Sequence, residues 1–261
     1  MSTMTDVHNP LSENFRPFVE KVVDALVTHM QDERRESSDE NRVCNFVEPT
    51  ELEKVLAPLR VEAEGASTEE LHSNIKLILD NSVKTGHRHC LNQLFHRADG
   101  IAVIADWITA TVNTSIYTYE TAPVGTLVEH QLIEQYRKLL TWDHAEGFFA
   151  PGGSTSNLCG IALGRDRAFP HVQREGWQAG DKPAVFVSKD GHYSTKKSCG
   201  LLGIGYSGCI GVETDARNRM CPEQLRIALA KAVEDGRKPT CVVVTSGSTL
   251  TGAADRVDEI L

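Results

Sequence analysis

One stretch constrains this chain more than any other: residues 147–157, GFFAPGGSTSN, followed by the apolar run LCGIALGRDRAF. A glycine pair and three hydroxyl residues precede Leu158, Ile161 and Leu163, whose helical spacing predicts a loop that leads into a helix. The first amides of a helix lack intrahelical partners and carry the positive end of its dipole, and hydroxyls add donors. The stretch therefore indicates an anion-binding loop, with phosphate as the expected anion. The alternative is an ordinary capped helix after a glycine turn.

Two better-defined phosphate motifs are absent from this stretch. No lysine follows the glycines directly, as a P-loop requires, and no G-x-G-x-x-G is present, as a dinucleotide fold requires. The glycine loop alone therefore supports the alternative interpretation as a nucleotide-binding α/β domain.

Downstream of the stretch the pattern changes to short apolar runs separated by helical segments. Strands are predicted at 184–188 (AVFVS), 209–213 (CIGVE) and 241–245 (CVVVT), with helices at 195–202 and 222–234 between them. Strands that alternate with helices predict a largely parallel sheet covered on both faces.

Polar loops follow two of these strands. SKDGHYSTKKS begins at Ser188 and contains His192, and TSGSTLTG follows Val244. Each loop alone has a plain interpretation, a solvated histidine or a turn. Ligands of parallel sheets bind where strands end, so the two loops and GGSTSN together predict one crevice at the carboxyl edge.

The first half of the chain reads as helical arms that pack on the rest of the chain or on a second copy. The pattern gives no chemistry there. Tyr117 and Tyr119 have two interpretations of equal weight: functional residues, or core aromatics with their hydroxyls at the rim. Helices are predicted at 12–29, from Pro49 onward, and at 71–83, 101–112 and 124–140, with a charged loop at 31–41.

Composition excludes several classes of function. The chain has 261 residues, 40% hydrophobic and 24% charged, with 27 basic and 36 acidic residues and a net charge of −9. We therefore expect a soluble globular protein with no nucleic-acid or membrane partner. No secretory signal is visible and no C-x-x-C occurs among seven cysteines, which predicts a cytoplasmic protein with reduced, mostly buried thiols. The histidines at 87, 89 and 96 lack a completing ligand set, so no metal site is expected.

Five motifs in order support a family resemblance that covers nearly the whole chain: NQLF, NTSIYTYETAP, PGGSTSN, HYSTKKSCGLLGIG and TSGSTLTGAAD. The sequence resembles the pyridoxal-phosphate-dependent decarboxylases of the glutamate and cysteine-sulfinate decarboxylase group. The resemblance implies the α/β fold of the aspartate-aminotransferase type, fold type I of the pyridoxal phosphate enzymes. It also implies a helical arm for dimerisation at 1–85, the first part of the cofactor-binding large domain at 86–261, and a homodimer.

The resemblance assigns roles to individual residues. The cofactor phosphate would lie against Gly153, Ser154, Thr155 and Ser156. His192 would stack on the pyridine ring and could take part in proton transfer, and Thr249 would lie close to that ring. Residues implied to line the substrate pocket are Gln93, Phe95, Asn113 and Tyr117.

The implied reaction is decarboxylation of a small acidic amino acid through a Schiff base with pyridoxal 5'-phosphate, whose pyridinium ring stores the carbanion. The glutamate type has a small serine where Phe95 stands. A larger side chain there should shorten the pocket, so the resemblance favours cysteine sulfinate or aspartate over glutamate.

The sequence departs from the family in several places. HRHC replaces H-P-R-F at 87–90, and GST replaces G-T-T at 247–249. The family's aspartate for the pyridine nitrogen and its cofactor lysine are expected beyond Leu261. Asp255 matches a different family aspartate, on a helix, and Lys189, Lys196 and Lys197 lie in the wrong loop for the cofactor lysine. We therefore expect a truncated decarboxylase, inactive alone. The alternative is an inactive short form that acts as a dimerisation partner of a full-length copy.

Overall fold

The structure, a computed structural model, describes residues 10–35, 41–59, 65–92 and 94–261. Its internal contacts divide the chain into two compact units, one up to Thr114 and one from Ser115 onward. None of the helices in the described ranges is long and apolar enough to cross a membrane.

The first unit is helical, and local sequence signals set where its helices begin. Ser67 and Glu70 form a capping box at the start of α3, each side chain bonding the other residue's backbone amide. At the start of α4 the carboxylate of Asp99 accepts from the amides of Ile101 and Ala102. The elements of this unit are α1 (Phe15–Asp32), α2 (Pro49–Val55), α3 (Thr68–Asn81) and α4 (Gly100–Val112).

The second unit is an α/β layer structure. Its sheet has the order β2-β1-β3, and both pairs are parallel. The central strand, β1, is buried along its whole length, as expected for a parallel strand covered on both faces. The elements are α5 (Pro123–Leu140), α6 (Gly153–Ala168), α7 (Val172–Glu175), β1 (Pro183–Ser188), α8 (Ser194–Leu201), β2 (Cys209–Val212), α9 (Pro222–Glu234), β3 (Lys238–Val243) and α10 (Val257–Ile260).

Alternation along β1 sends successive side chains to opposite faces of the sheet. Val185 packs with Ile161 of α6 and Cys199 of α8. Phe186, fully buried, belongs to the opposite cluster with Leu225 of α9. The sheet is therefore held between α6 and α8 on one face and α9 on the other.

Most predicted elements are present with shifted ends. Helix α1 continues to Asp32, so the predicted loop at 31–41 begins later. Strand β3 lies at Lys238–Val243 instead of 241–245, because its first residues pair with the start of β1: the amide of Ala184 donates to Oγ1 of Thr240 at 3.3 Å. The short helix α7 was not expected.

Three further expectations are corrected by the structure. Tyr117 and Tyr119 are 76% and 57% exposed, so neither is a core aromatic in this chain. All seven cysteines are free thiols, but only Cys199 is fully buried. Asp255 precedes α10 and does not lie on a helix.

Candidate functional site

In the second unit, α6 begins directly after a glycine loop, and no side chain caps its first turn. Gly152 has φ = 93°, a left-handed value that favours glycine, and α6 begins at the next residue. The amides of Thr155 and Ser156 donate to the carbonyl of Gly152 at 3.1 and 3.2 Å. The amides of Gly153 and Ser154 donate to no backbone carbonyl within the described part of the chain. These two N–H groups are free to bind an anion.

The three hydroxyls of this helix start differ in their partners. Thr155 Oγ1 donates to the carbonyl of Pro151 at 3.4 Å, and Ser156 Oγ donates to that of Gly152 at 3.3 Å. The hydroxyl of exposed Ser154 has no hydrogen-bond partner among the residues that the structure describes. Ser154 is therefore the most available side-chain donor at this helix start.

His192 comes four residues after the end of β1, and a tight turn places it there. A Cβ atom on Gly191 would lie 2.6 Å from Cγ2 of Val187 and 2.9 Å from the carbonyl oxygen of Ser188. Only glycine fits without displacing the strand end. His192 itself is exposed, and its ring lies 4.3 Å from that of Tyr193, centroid to centroid.

Hydrogen bonds join His192 to the start of α6 through Ser194, the first residue of α8. His192 Nδ1 lies 2.7 Å from Ser194 Oγ, and Asn157 Nδ2 donates to the same hydroxyl at 2.8 Å. The starts of α6 and α8 are thereby fixed side by side at one edge of the sheet. Two of the three predicted polar segments are brought together.

A cavity of about 240 Å³ lies between these two helix starts. Lys197 lines it, and its ammonium group lies 4.6 Å from the centre of the Tyr193 ring. The cation adds positive charge beside Ser154 and Thr155. A larger depression of about 660 Å³ lies between α1 and α3 and is lined by none of the helix-start residues.

The loop after β3 is closed on itself. The amides of Gly247 and Ser248 donate to the carbonyl of Ala253 at 3.1 and 2.8 Å, and Ser248 Oγ lies 2.8 Å from Thr251 Oγ1. Thr249 is exposed at the turn of this loop. β1 and β3 are neighbours in register, so the loop starts at the same sheet edge as the His192 turn.

Comparison with known proteins decides the family. A profile described as "Pyridoxal-dependent decarboxylase conserved domain" matches residues 49–261. The chain belongs to the pyridoxal-dependent decarboxylase family. It is 38% identical over 227 residues to cysteine sulfinic acid decarboxylase of Rattus norvegicus, covering 87% of this chain and 46% of the relative. It is 36% identical over 250 residues to acidic amino acid decarboxylase of Xenopus tropicalis, covering 95% and 48%.

Solved structures of this decarboxylase family confirm the predicted fold class. The crystal structure of mouse CSAD matches with a TM-score of 0.90 and 35% identity, covering 97% of this chain and 52% of that one. The glutamate decarboxylase domain of a Vibrio parahaemolyticus protein shows the same fold, with a TM-score of 0.83 and 24% identity. The chain spans about half the length of the curated relatives it matches.

The helix-start site suits the phosphate of the family's cofactor. It offers two free amides, a free hydroxyl and a nearby ammonium group, and a Cβ on Gly152 or Gly153 would meet no atom within 4 Å. A phosphate accepts from several such donors at once. The residues at this helix start therefore fit the phosphate group of pyridoxal phosphate.

Three of the four predicted substrate-pocket residues are described by the structure, and they fall in both units. Phe95 and Asn113 belong to the first unit, where Asn113 ends α4 in a left-handed conformation with φ = 49°. Tyr117 is an exposed residue of the second unit. Gln93 lies outside the described residues.

Lysines near the site are engaged with other groups. Lys189 forms an ion pair with Glu213, whose carboxylate raises the pKa of the lysine. Lys196 lies 5.4 Å from the centre of the Tyr206 ring. Both lysines thus have partners outside the helix-start site.

Three residues of the site were not singled out from the sequence. Asn157 and Ser194 stand inside motifs that were recognised, and Gly191 precedes His192. The only local signal is a glycine directly before a loop histidine, which indicates a close backbone approach. The Asn157–Ser194 contact depends on how α6 packs against α8.

Proposed function

We propose that this chain carries the phosphate-binding part of a pyridoxal-phosphate-dependent decarboxylase of small acidic amino acids. The supporting observation is the pairing of a helix start that has free amides with His192, tied to it through Ser194. The division into a dimerisation arm, 1–85, and a cofactor-binding domain, 86–261, is part of this proposal.

Each site residue has a role in the proposed reaction. Gly153, Ser154, Thr155 and Ser156 bind the phosphate, and His192 orients the ring by stacking on it. Bound pyridoxal phosphate supplies an electron-withdrawing ring that stabilises the negative charge left when carbon dioxide departs. Thr249 lies near that ring, and its exposed position at the loop turn leaves its hydroxyl accessible.

We propose cysteine sulfinate or aspartate as the substrate, in preference to glutamate. The names of the relatives, cysteine sulfinic acid decarboxylase and acidic amino acid decarboxylase, support this class. Gln93, Phe95, Asn113 and Tyr117 form the substrate pocket in this proposal. The bulk of Phe95 limits the length of the amino acid that fits.

The proposal places the protein in the cytoplasm as a homodimer. The seven free thiols suit a reducing compartment. Helix α4 exposes large apolar side chains, among them Ile101 at 81% and Ile108 at 60%, which a second copy could cover. Sedimentation equilibrium of the purified chain would show a dimer, and a monomer at all concentrations would remove this part of the proposal.

Decarboxylation assays test the substrate assignment. Carbon dioxide release is measured with cysteine sulfinate, aspartate and glutamate. The assay compares a full-length decarboxylase that includes this 261-residue sequence with the Phe95→Ser variant of the same protein. We expect relative activity toward glutamate to rise by about tenfold or more, because pocket volume discriminates by about 10–200-fold per methylene. Unchanged ratios would refute the role of Phe95.

The same assay addresses the 261-residue chain alone, with pyridoxal phosphate added. We expect no turnover from it. Turnover would exclude the alternative of an inactive partner of a full-length copy. An inactive chain that lowers or restores the activity of a co-purified longer copy would favour that alternative.

A further inference from the structure

We infer that Asn157 and Ser194 are positioning residues that hold the imidazole of His192 with its proton on Nε2. The inference rests on the proposed function, since it describes how this chain presents that ring to a bound ligand. Neither Asn157 nor Ser194 has to touch the substrate or the cofactor in the proposed reaction.

The contacts around Nδ1 of His192 come from one residue. The backbone amide of Ser194 donates to Nδ1 at 3.2 Å, and the Ser194 hydroxyl lies 2.7 Å from the same nitrogen. Asn157 Nδ2 reaches that hydroxyl at 2.8 Å from the neighbouring helix. Nδ1 is therefore the nitrogen that faces the protein.

The chemistry of the donors fixes the tautomer. A backbone amide can only donate, and a neutral imidazole has one donor nitrogen and one acceptor nitrogen. The amide, at 3.2 Å, therefore favours Nδ1 as the acceptor, which leaves the proton on Nε2. The hydroxyl leads to the same assignment: because the amide group of Asn157 donates to the Ser194 oxygen, the hydroxyl hydrogen is available to donate to Nδ1.

Burial makes this arrangement firm at Ser194. Ser194 is 2% exposed, so its hydroxyl has no access to bulk water and depends on protein partners for its hydrogen bonds. Thr195 and Ser198 are equally buried on α8, yet among the described residues neither side chain hydrogen-bonds to the His192 ring; the amide of Thr195 donates only to the His192 carbonyl, at 3.2 Å. The contact is thus specific to the position of Ser194, which Asn157 braces from α6.

The consequence concerns the free edge of the ring. With Nδ1 committed, His192 offers Nε2–H, a donor that matches the carboxylate of an acidic ligand. Two bonds on one edge and the Tyr193 ring at 4.3 Å restrict the ring plane, as stacking on a planar cofactor requires. Asn157 and Ser194 thereby set both the orientation of His192 and the atom that holds its proton.

Nitrogen NMR of the histidine-labelled chain tests the inference directly. Long-range proton–nitrogen spectra distinguish a protonated ring nitrogen from an unprotonated one, and a His192→Gln sample identifies the His192 signals. We expect an unprotonated Nδ1 and a protonated Nε2. Ser194→Ala keeps the backbone amide but removes the shorter contact to Nδ1, so it should shift both nitrogen signals part of the way toward the values of a histidine that exchanges between tautomers. Asn157→Asp keeps the shape of the side chain but accepts the Ser194 hydrogen, and it should shift both signals in the same direction.

The control is Ser198→Ala, the same change at an equally buried serine of α8, which should leave the His192 signals in place. The inference is overturned if the unsubstituted chain protonates Nδ1, or if neither Ser194→Ala nor Asn157→Asp shifts the signals while the fold is retained. Binding of pyridoxal phosphate is measured on the same samples. Failure of the unsubstituted chain to bind counts against the proposed function alone, because the tautomer decides the present inference in either case.

Discussion

The carboxylate of Asp255 links the loop after β3 to the backbone of Met220. Its Oδ1 accepts from the Met220 amide at 2.6 Å, and its Oδ2 accepts from the Thr245 amide at 2.7 Å. Asp255 is 8% exposed, and both of its oxygens are committed to backbone amides. Asp255 therefore joins the residue that precedes Cys221 and α9 to the segment that follows β3.

Replacing Asp255 by asparagine should destabilise the second unit. The asparagine amide group would face a backbone N–H, so one buried donor loses its acceptor, at a cost of about 1–3 kcal/mol. Urea denaturation measures the change, with Asp143→Asn, at an exposed aspartate, as the matched control. Equal stability of the two variants would contradict the structural role of Asp255.

Gly191→Ala should disturb the turn that carries His192. The added methyl would lie 2.6 Å from Cγ2 of Val187, and such overpacking costs about 1–3 kcal/mol. Gly160→Ala is the matched control, because a Cβ there meets nothing within 4 Å and alanine favours a helix by about 0.5–1 kcal/mol. The midpoint temperature of thermal unfolding should therefore fall for Gly191→Ala and should stay the same or rise for Gly160→Ala. The reverse order would show that the turn is not tight.

Asp215 should contribute to stability in a way that depends on pH. Hydrogen bonds from the Arg219 side chain and backbone lower the pKa of Asp215 to about 2. Because the folded-state pKa lies below the unfolded value of about 3.9, the contribution is present above about pH 4 and is lost as pH falls through about 2. The difference in unfolding free energy between the unsubstituted chain and Asp215→Asn should shrink over that window. A difference independent of pH would contradict it.

Lys189 should not react with the cofactor aldehyde. Amines attack aldehydes in the neutral form, and the Glu213 carboxylate raises the pKa of Lys189, which lowers the fraction of neutral amine. Borohydride reduction with pyridoxal phosphate, followed by peptide mass mapping, should find no adduct at Lys189. Glu213→Gln should increase labelling there. Substantial labelling of Lys189 with Glu213 intact would contradict this assignment.

The fold was predictable wherever local signals agree. Helix α9 begins at Pro222 and ends at Glu234, as predicted, because proline marks a first turn and the apolar spacing continues from it. Strand β3 was shifted since its polar first residues are held by pairing with β1, which no local pattern reveals. Helix α7 has only four residues, too few for helical periodicity to appear.

The site was predictable in part for the same reason. Gly153 to Ser156 could be recognised as a helix start because glycines and hydroxyls have local meaning. The contact between Asn157 and Ser194 joins residues 37 positions apart and depends on helix packing. The partners of Asp255 likewise come from two separate segments.

The central claim is that the start of α6 binds the cofactor phosphate, and equilibrium dialysis with pyridoxal phosphate and with pyridoxal tests it most directly. We predict that the chain binds pyridoxal phosphate at least about tenfold more tightly, which corresponds to about 1.4 kcal/mol. Ser154→Ala should reduce that preference, because it removes the unpartnered hydroxyl. Equal affinity for the two compounds, or binding of neither, would contradict the account.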